Sequence, residues 1–178
     1  MQAIIAMTEP GPRPPAWRGA AALLLAILAP SIQAQDERTN AFDDPFLRVT
    51  RALATCPVPE GPLYTAAEAK AQIHGRAERG TTCHYWGRCR LPNAYLYDKE
   101  IIPRVATFIQ RDDRFNDTSV WILGQRRWVY LEGCVATQEQ SDQLEKEVRL
   151  IDDVEAVINE LMVGTSGTPR YDVDRNAK

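Results

Sequence analysis

The 178-residue chain has only two histidines, His74 and His84, and neither belongs to a repeat that would place two imidazoles on one helical face. This leaves little for a zinc-dependent or histidine-based mechanism. There is no Gly-x-Ser-x-Gly elbow and no glycine-rich phosphate cradle. Cys83 and Cys89 are separated by five residues, where thiol oxidoreductases and haem-attachment sites use two. The adjacent carboxylates Asp112-Asp113 and Asp152-Asp153 fall at element ends and read as solvated caps or turns. Catalytic residues are therefore not expected, and no cofactor is implied.

Charge and long apolar runs are scarce as well. The formal net charge is −3, which argues against a broad electrostatic footprint for nucleic acid. The one uninterrupted apolar stretch, Ala20 to Ala29, has a reach of about 15 Å as a helix, against about 30 Å for a bilayer core. With Arg13 and Arg18 before it and Pro30 after it, the stretch has the layout of a secretory signal peptide over residues 1–34. Cleavage is expected near Ala34, and translation starts at Met1 or Met7. Loss of Glu9, Arg13 and Arg18 removes a net +1, so the mature chain carries −4. No cysteine follows the apolar run closely enough for lipid anchoring. At most, the protein is peripheral to a membrane.

Export to the periplasm changes the reading of the four cysteines, Cys56, Cys83, Cys89 and Cys134. In an oxidising compartment an even number reads as disulfides, here two bridges with three possible connectivities. A metal site at Cys83, His84 and Cys89 is the less favoured reading, so no metal is expected.

Past the leader, residues 35–97 form a cysteine-containing extension. Prolines at 45, 57, 59 and 62 make residues 36–64 irregular. Thr65-Ala66-Ala67-Glu68 is a capping box opening a helix over about 66–78, with Gly80 as the stop. Residues 81–97 carry Tyr85, Trp86, Tyr95 and Tyr97, and this aromatic density predicts a segment packed on something.

The remainder is regular. Ile101, Ile102, Val105, Phe108 and Ile109 share one helical face. Val120 to Leu123 and Trp128 to Leu131 are two β-prone runs joined by Gly124-Gln125-Arg126-Arg127, a hairpin signal. Thr137 to Gln140 is a second capping box, and its helix turns Leu144, Val148 and Ile151 inward. A last strand spans Val154 to Val163, and the polar tail, residues 164–178, reads as disordered. The fold class is α+β: an αββαβ sandwich, with two helices on one face of a three-stranded sheet, over residues 98–163.

The runs Val129-x-Leu131-x-Gly133-x-Val135 and Val154-x-x-Val157-x-Asn159-x-Leu161-x-Val163, with a capped helix between them, resemble the BON domain. Gly133 fits a place where a strand leaves the sheet, and Asn159 can serve backbone groups beside a strand. The resemblance implies a non-enzymatic binding module for envelope phospholipid or an envelope protein, with a role in osmotic or envelope stress. Family members often carry two copies; residues 36–97 contain no second one.

Strand alternation turns Val120, Ile122, Val129, Leu131 and Val135 toward the helices and Trp121, Trp128, Tyr130 and Cys134 the other way, joined by Ile158 and Met162. That second face is apolar where water would be expected. In one reading, segment 81–97 covers it, pinned by a disulfide from Cys83 or Cys89 to Cys134. In the other, Trp121, Trp128 and Tyr130 stay open as a patch for lipid or a partner. At the hairpin tip, Arg126 and Arg127 form a guanidinium pair suited to phosphate, or else a solvated turn. The alternative to a lipid-binding module is a disulfide-stapled structural or assembly protein that binds another envelope protein and has no affinity for lipid.

Overall fold

A computed structural model describes Gly11 and residues 37–177. The expected signal peptide and its cleavage point lie outside the described residues. The rest is mixed α+β: three α-helices and a five-stranded sheet.

The chain enters through a short edge strand, β1 (Phe46–Arg48), which pairs antiparallel with β2 (Ser119–Gln125). The lead-in is irregular apart from that strand, and its contribution to the sheet was not expected. Helix α1 (Ala66–Tyr85) opens on the capping box: Thr65 Oγ1 accepts from the Glu68 amide and the Glu68 carboxylate accepts from the Thr65 amide. It runs through Gly80, where a stop was expected. Gly80 is buried against Asn93, whose side-chain oxygen would lie 2.4 Å from any added Cβ, so close packing requires glycine there. Asp44 and Arg76 anchor α1 to the lead-in: Arg76 donates to both Asp44 oxygens at 2.9 and 2.5 Å, its guanidinium lying over the Phe42 and Tyr95 rings. Such a shielded bidentate pair holds its geometry far better than an exposed one.

A single 3₁₀ turn, Ala94–Tyr97, leads into α2 (Asp98–Arg111). Strands β2 and β3 (Trp128–Val135) form the hairpin, α3 (Gln138–Val148) follows with its Thr137–Gln140 capping box, and β4 (Ala156–Asn159) and β5 (Met162–Val163) complete the sheet. β3 is central. It runs antiparallel to β2 and parallel to both β4 and β5. The single last strand expected over 154–163 is thus two short ones, interrupted at Glu160-Leu161.

Two apolar layers flank the sheet. Ile101, Ile102, Val105 and Ile109 of α2 and Leu144 and Val148 of α3 are fully buried with Val120, Ile122, Val129, Leu131 and Val135. The helical and strand periodicities meet here as read from the sequence. On the opposite face Trp121, Cys134 and Met162 pack with Cys56, Phe46, Leu53 and Val58.

The disulfides are Cys56–Cys134 and Cys83–Cys89. The reading that pairs Cys83 or Cys89 with Cys134 is therefore corrected. Cys83 sits in the last turn of α1 and Cys89 four residues past its end, so they close a local loop. Cys134 faces the lead-in instead. The tail also departs from expectation: residues 164–177 fold back, Val173 bridges Pro59, the Glu60 amide donates to Asp172, and Tyr171 is buried with its hydroxyl donating to the Pro57 carbonyl at 2.8 Å. Its composition is polar, but one tyrosine and a short ladder of backbone bonds give it a docking site.

Gly133 lies inside β3 opposite Val120, with φ at 116°, and an added Cβ would fall 2.1 Å from the Ser119 carbonyl oxygen. It marks close backbone approach within the ladder, not an exit from the sheet. Asn159 does serve its surroundings: its amide donates to Ser141 of α3, and its side-chain oxygen accepts from the Leu161 amide at 3.1 Å.

Candidate binding surface

The hairpin tip is built from residues that resist its shape. Arg126 and Arg127 occupy a two-residue turn with φ of 52° and 71°, a conformation that Asn-Gly adopts at little cost and arginine does not. Asp98, the first residue of α2, offsets that cost. It is 1% exposed, and its carboxylate accepts the Arg126 and Arg127 amides at 2.7 Å each. Burial pushes the Asp98 carboxyl up to about 7, against the opposing pull of those two amides.

Turn and anchor together separate the two arginines. Arg126 stacks on Trp128, its guanidinium carbon 3.6 Å from the ring centroid. Arg127 folds inward, where Nε donates to the Asp153 carbonyl at 2.9 Å and Nη1 contacts the Cys89 sulfur at 3.3 Å. The phosphate-clamping pair read from the sequence does not assemble; Arg126 alone points away from the internal network.

Nor do the aromatic candidates form one patch. Trp121 is 4% exposed, under the Arg48 guanidinium and among residues of the lead-in. Trp128 and Tyr130 are half-buried. The cover that makes Trp121 inaccessible comes from residues 46–58 and not from segment 81–97.

That segment supplies the surface instead. Tyr85 is 81% exposed and Trp86 66%, their rings edge to face with centroids 5.4 Å apart. The Cys83–Cys89 bridge closes the loop that presents them, and the Trp86 and Gly87 amides cap the end of α1 on the Thr82 and His84 carbonyls. The rings line one hollow with Glu78 and His84, and across Thr82, which lines both, a second hollow of about 210 Å³ gathers Arg79, Arg88 and Arg126 with a single carboxylate, Glu155. Among the described residues none of these three arginines forms an ion pair, whereas Arg76, Arg90, Arg104, Arg114, Arg127 and Arg149 all do. The sequence did signal the aromatics, but their density was read as packing. Nothing in the spacing of Arg79, Arg88 and Arg126 announces that they converge.

Among the described residues no helix is long and apolar enough to cross a membrane, and no group of three or more His, Cys, Asp or Glu is placed to hold a metal ion. No curated protein matches the chain. The order α2, β2, β3, α3, β4 and β5, with Gly133 locked in the central strand and Asn159 tying the last helix to the sheet, falls within a family match. Residues 97–165, the C-terminal part of the 178-residue chain, match the family model of the BON domain.

Proposed function

We propose that this protein is a non-enzymatic binding protein of the periplasm that docks on anionic envelope phospholipid through the Cys83–Cys89 loop, in the service of osmotic or envelope stress protection. The BON match supports a binding module of the envelope in general. The observation that carries the lipid reading is the exposed Tyr85–Trp86 pair beside Arg79, Arg88 and Arg126. Amphipathic aromatic rings settle at the boundary between headgroups and acyl chains, and nearby guanidinium groups pair with phosphate. A chain that is acidic overall still meets an anionic surface favourably where its basic groups are gathered on one side and outnumber the carboxylates there.

Vesicle flotation tests this reading. The oxidised protein should float with phosphatidylglycerol-containing vesicles at low salt and less at high salt. Trp86→Ala or Arg126→Glu should each reduce the floated fraction severalfold. Absence of flotation at any salt would leave the alternative, a disulfide-stapled assembly protein that recognises another envelope protein.

A further inference from the structure

On the second face of the sheet, the lead-in and the folded-back tail leave a cleft of about 420 Å³ between them, within the size range of small-ligand sites. Its floor is β3, where Tyr130 and Glu132 alternate with the helix-facing Val129 and Leu131. Glu132 is 7% exposed, and its Oε2 is buried without a hydrogen-bond partner among the described residues. Natural proteins rarely leave such an atom unmet, because desolvating an acceptor without a donor costs on the order of 1–3 kcal/mol.

The surroundings do not supply the missing donor. Glu160, from the break between β4 and β5, and Asp172, from the tail, both line the cleft and push the Glu132 carboxyl up, after burial itself, to about 7. Of the two lining cations, Arg38 is engaged by other residues of the lining: it reaches Glu60 at 3.5 Å and Glu68 at 3.6 Å and donates to the Leu63 carbonyl. Arg170 lines the cleft near Glu160, where its charge opposes the rise that burial gives the Glu160 carboxyl. Among the described residues no cation forms an ion pair with Glu132 or Asp172, and the hydroxyl of nearby Tyr171 is committed to Pro57. The cleft is a polar, negatively charged hollow with an orphan acceptor at its floor and tyrosine rings, Tyr64 and Tyr130, in its wall.

We infer that this cleft binds a primary alkylammonium group, which donates an N–H to Glu132 Oε2 while Glu160 and Asp172 supply the remaining negative charge. An ammonium fits where a metal does not, since these carboxylates are not placed as a metal-ligand set. A quaternary ammonium would fill the hollow and face the tyrosine rings, but it has no N–H to give. The lining shares no residue with the hollow at Arg79, Arg88 and Arg126, so the inference does not depend on the lipid reading. The ammonium can come from a free amine or from an ethanolamine headgroup.

Thermal melting of the oxidised protein with n-butylammonium chloride tests it, with sodium, tetramethylammonium and calcium chlorides as controls at matched ionic strength. Butylammonium should raise Tm with the concentration dependence of a ligand that binds only the folded state. The rise should be larger at pH 8, where Glu132 is ionised, than at pH 6. Glu132→Gln should weaken binding at least about tenfold, as loss of a charged hydrogen bond predicts, and Asp172→Asn should weaken it less; Trp86→Ala should leave it unchanged. Equal shifts from butylammonium and tetramethylammonium, a larger shift from calcium, or an undiminished shift in Glu132→Gln would each overturn the proposal. Flotation on neutral vesicles with and without phosphatidylethanolamine then separates the sources. Capture that depends on both the headgroup and Glu132 assigns the lipid, and a response to soluble amine alone assigns a free amine.

Discussion

The two faces of the sheet are covered by different means. On one, α2 and α3 lay down a dry layer in which Ile101, Val105, Ile122, Leu131 and Leu144 are all fully buried, and neither described disulfide ties α2 or α3 to the strands. On the other, a lead-in with one three-residue strand and a polar tail lie over Trp121, Cys134 and Met162, held by Cys56–Cys134 and by Tyr171. The helical cover is cooperative, because every turn adds apolar area to the same core. The irregular cover has little repeating structure to bury, so it depends on a staple. It also leaves space, and the cleft over Glu132 exists because chain without periodicity does not tile a flat face. A regular layer makes a core, whereas an irregular one makes a site.

Removing the staple is the strongest way to break this comparison. Cys56→Ser with Cys134→Ser opens a loop with a sequence separation of 78, and chain entropy alone puts the cost at about 4 kcal/mol. Removal of Cys83–Cys89, with a separation of 6, should cost about 2 kcal/mol on the same scale. Urea midpoints of the two double variants should differ accordingly. Equal losses would mean that the lead-in holds to the second face without its bridge.

Within the helical layer, Leu131→Ala should cost about 3 kcal/mol, the usual price of a cavity in a rigid core. Its neighbour on the other face gives the contrast: Tyr130→Ala removes a half-buried ring from the wall of an open cleft and should cost about half as much, since water can refill the space. Chemical unfolding at fixed pH measures both. A Tyr130→Ala loss equal to that of Leu131→Ala would show the second face to be as tightly filled as the first.

The same contrast explains what could be read from the residues. The inward face was legible because two periodicities, 3.6 and 2, select the same side chains, and both capping boxes locate their helices with no tertiary information. The second face was legible as apolar, but not what covers it. Cys56 and Cys134 stand 78 residues apart, and no local rule chooses between Cys56 and the nearer Cys83 or Cys89. Tyr171 sits alone in a tail whose composition resembles that of a disordered segment. The hairpin is visible in its flanking strands, yet the conformation of Arg126-Arg127 depends on Asp98, 28 residues earlier, which accepts both amides. Hence the paired arginines expected from sequence adjacency are parted in the fold. Tyr85 and Trp86 show the reverse error: aromatic density suggests burial, but a loop closed by its own disulfide can hold aromatics in the open.

The smallest effect sharpens the comparison most, because it concerns a single proton. Glu132 and Asp98 both have carboxyls raised to about 7 by burial. Between roughly pH 4.5 and 7 the folded protein therefore keeps protons that the unfolded chain has released, and stability should fall as pH rises through that window and level off above it. Asp43, Asp112 and Glu68, each lowered chiefly by hydrogen bonds to Lys99, Arg114 and Thr65 respectively, act in the opposite sense below about pH 4, so the maximum should lie at about pH 4 to 4.5. Replacing Glu132 by Gln keeps the shape, removes the buried charge, and offers an amide that Glu160 and Asp172 can accept. At pH 8 it should stabilise the ligand-free protein by about 1 kcal/mol, and at pH 5, where Glu132 is already protonated, by almost nothing. Urea midpoints of both proteins across pH 5 to 8 measure the difference. Curves that run parallel across that range would mean that Glu132 is paired in solution, and that the irregular cover closes over it as completely as the helices close over Leu131.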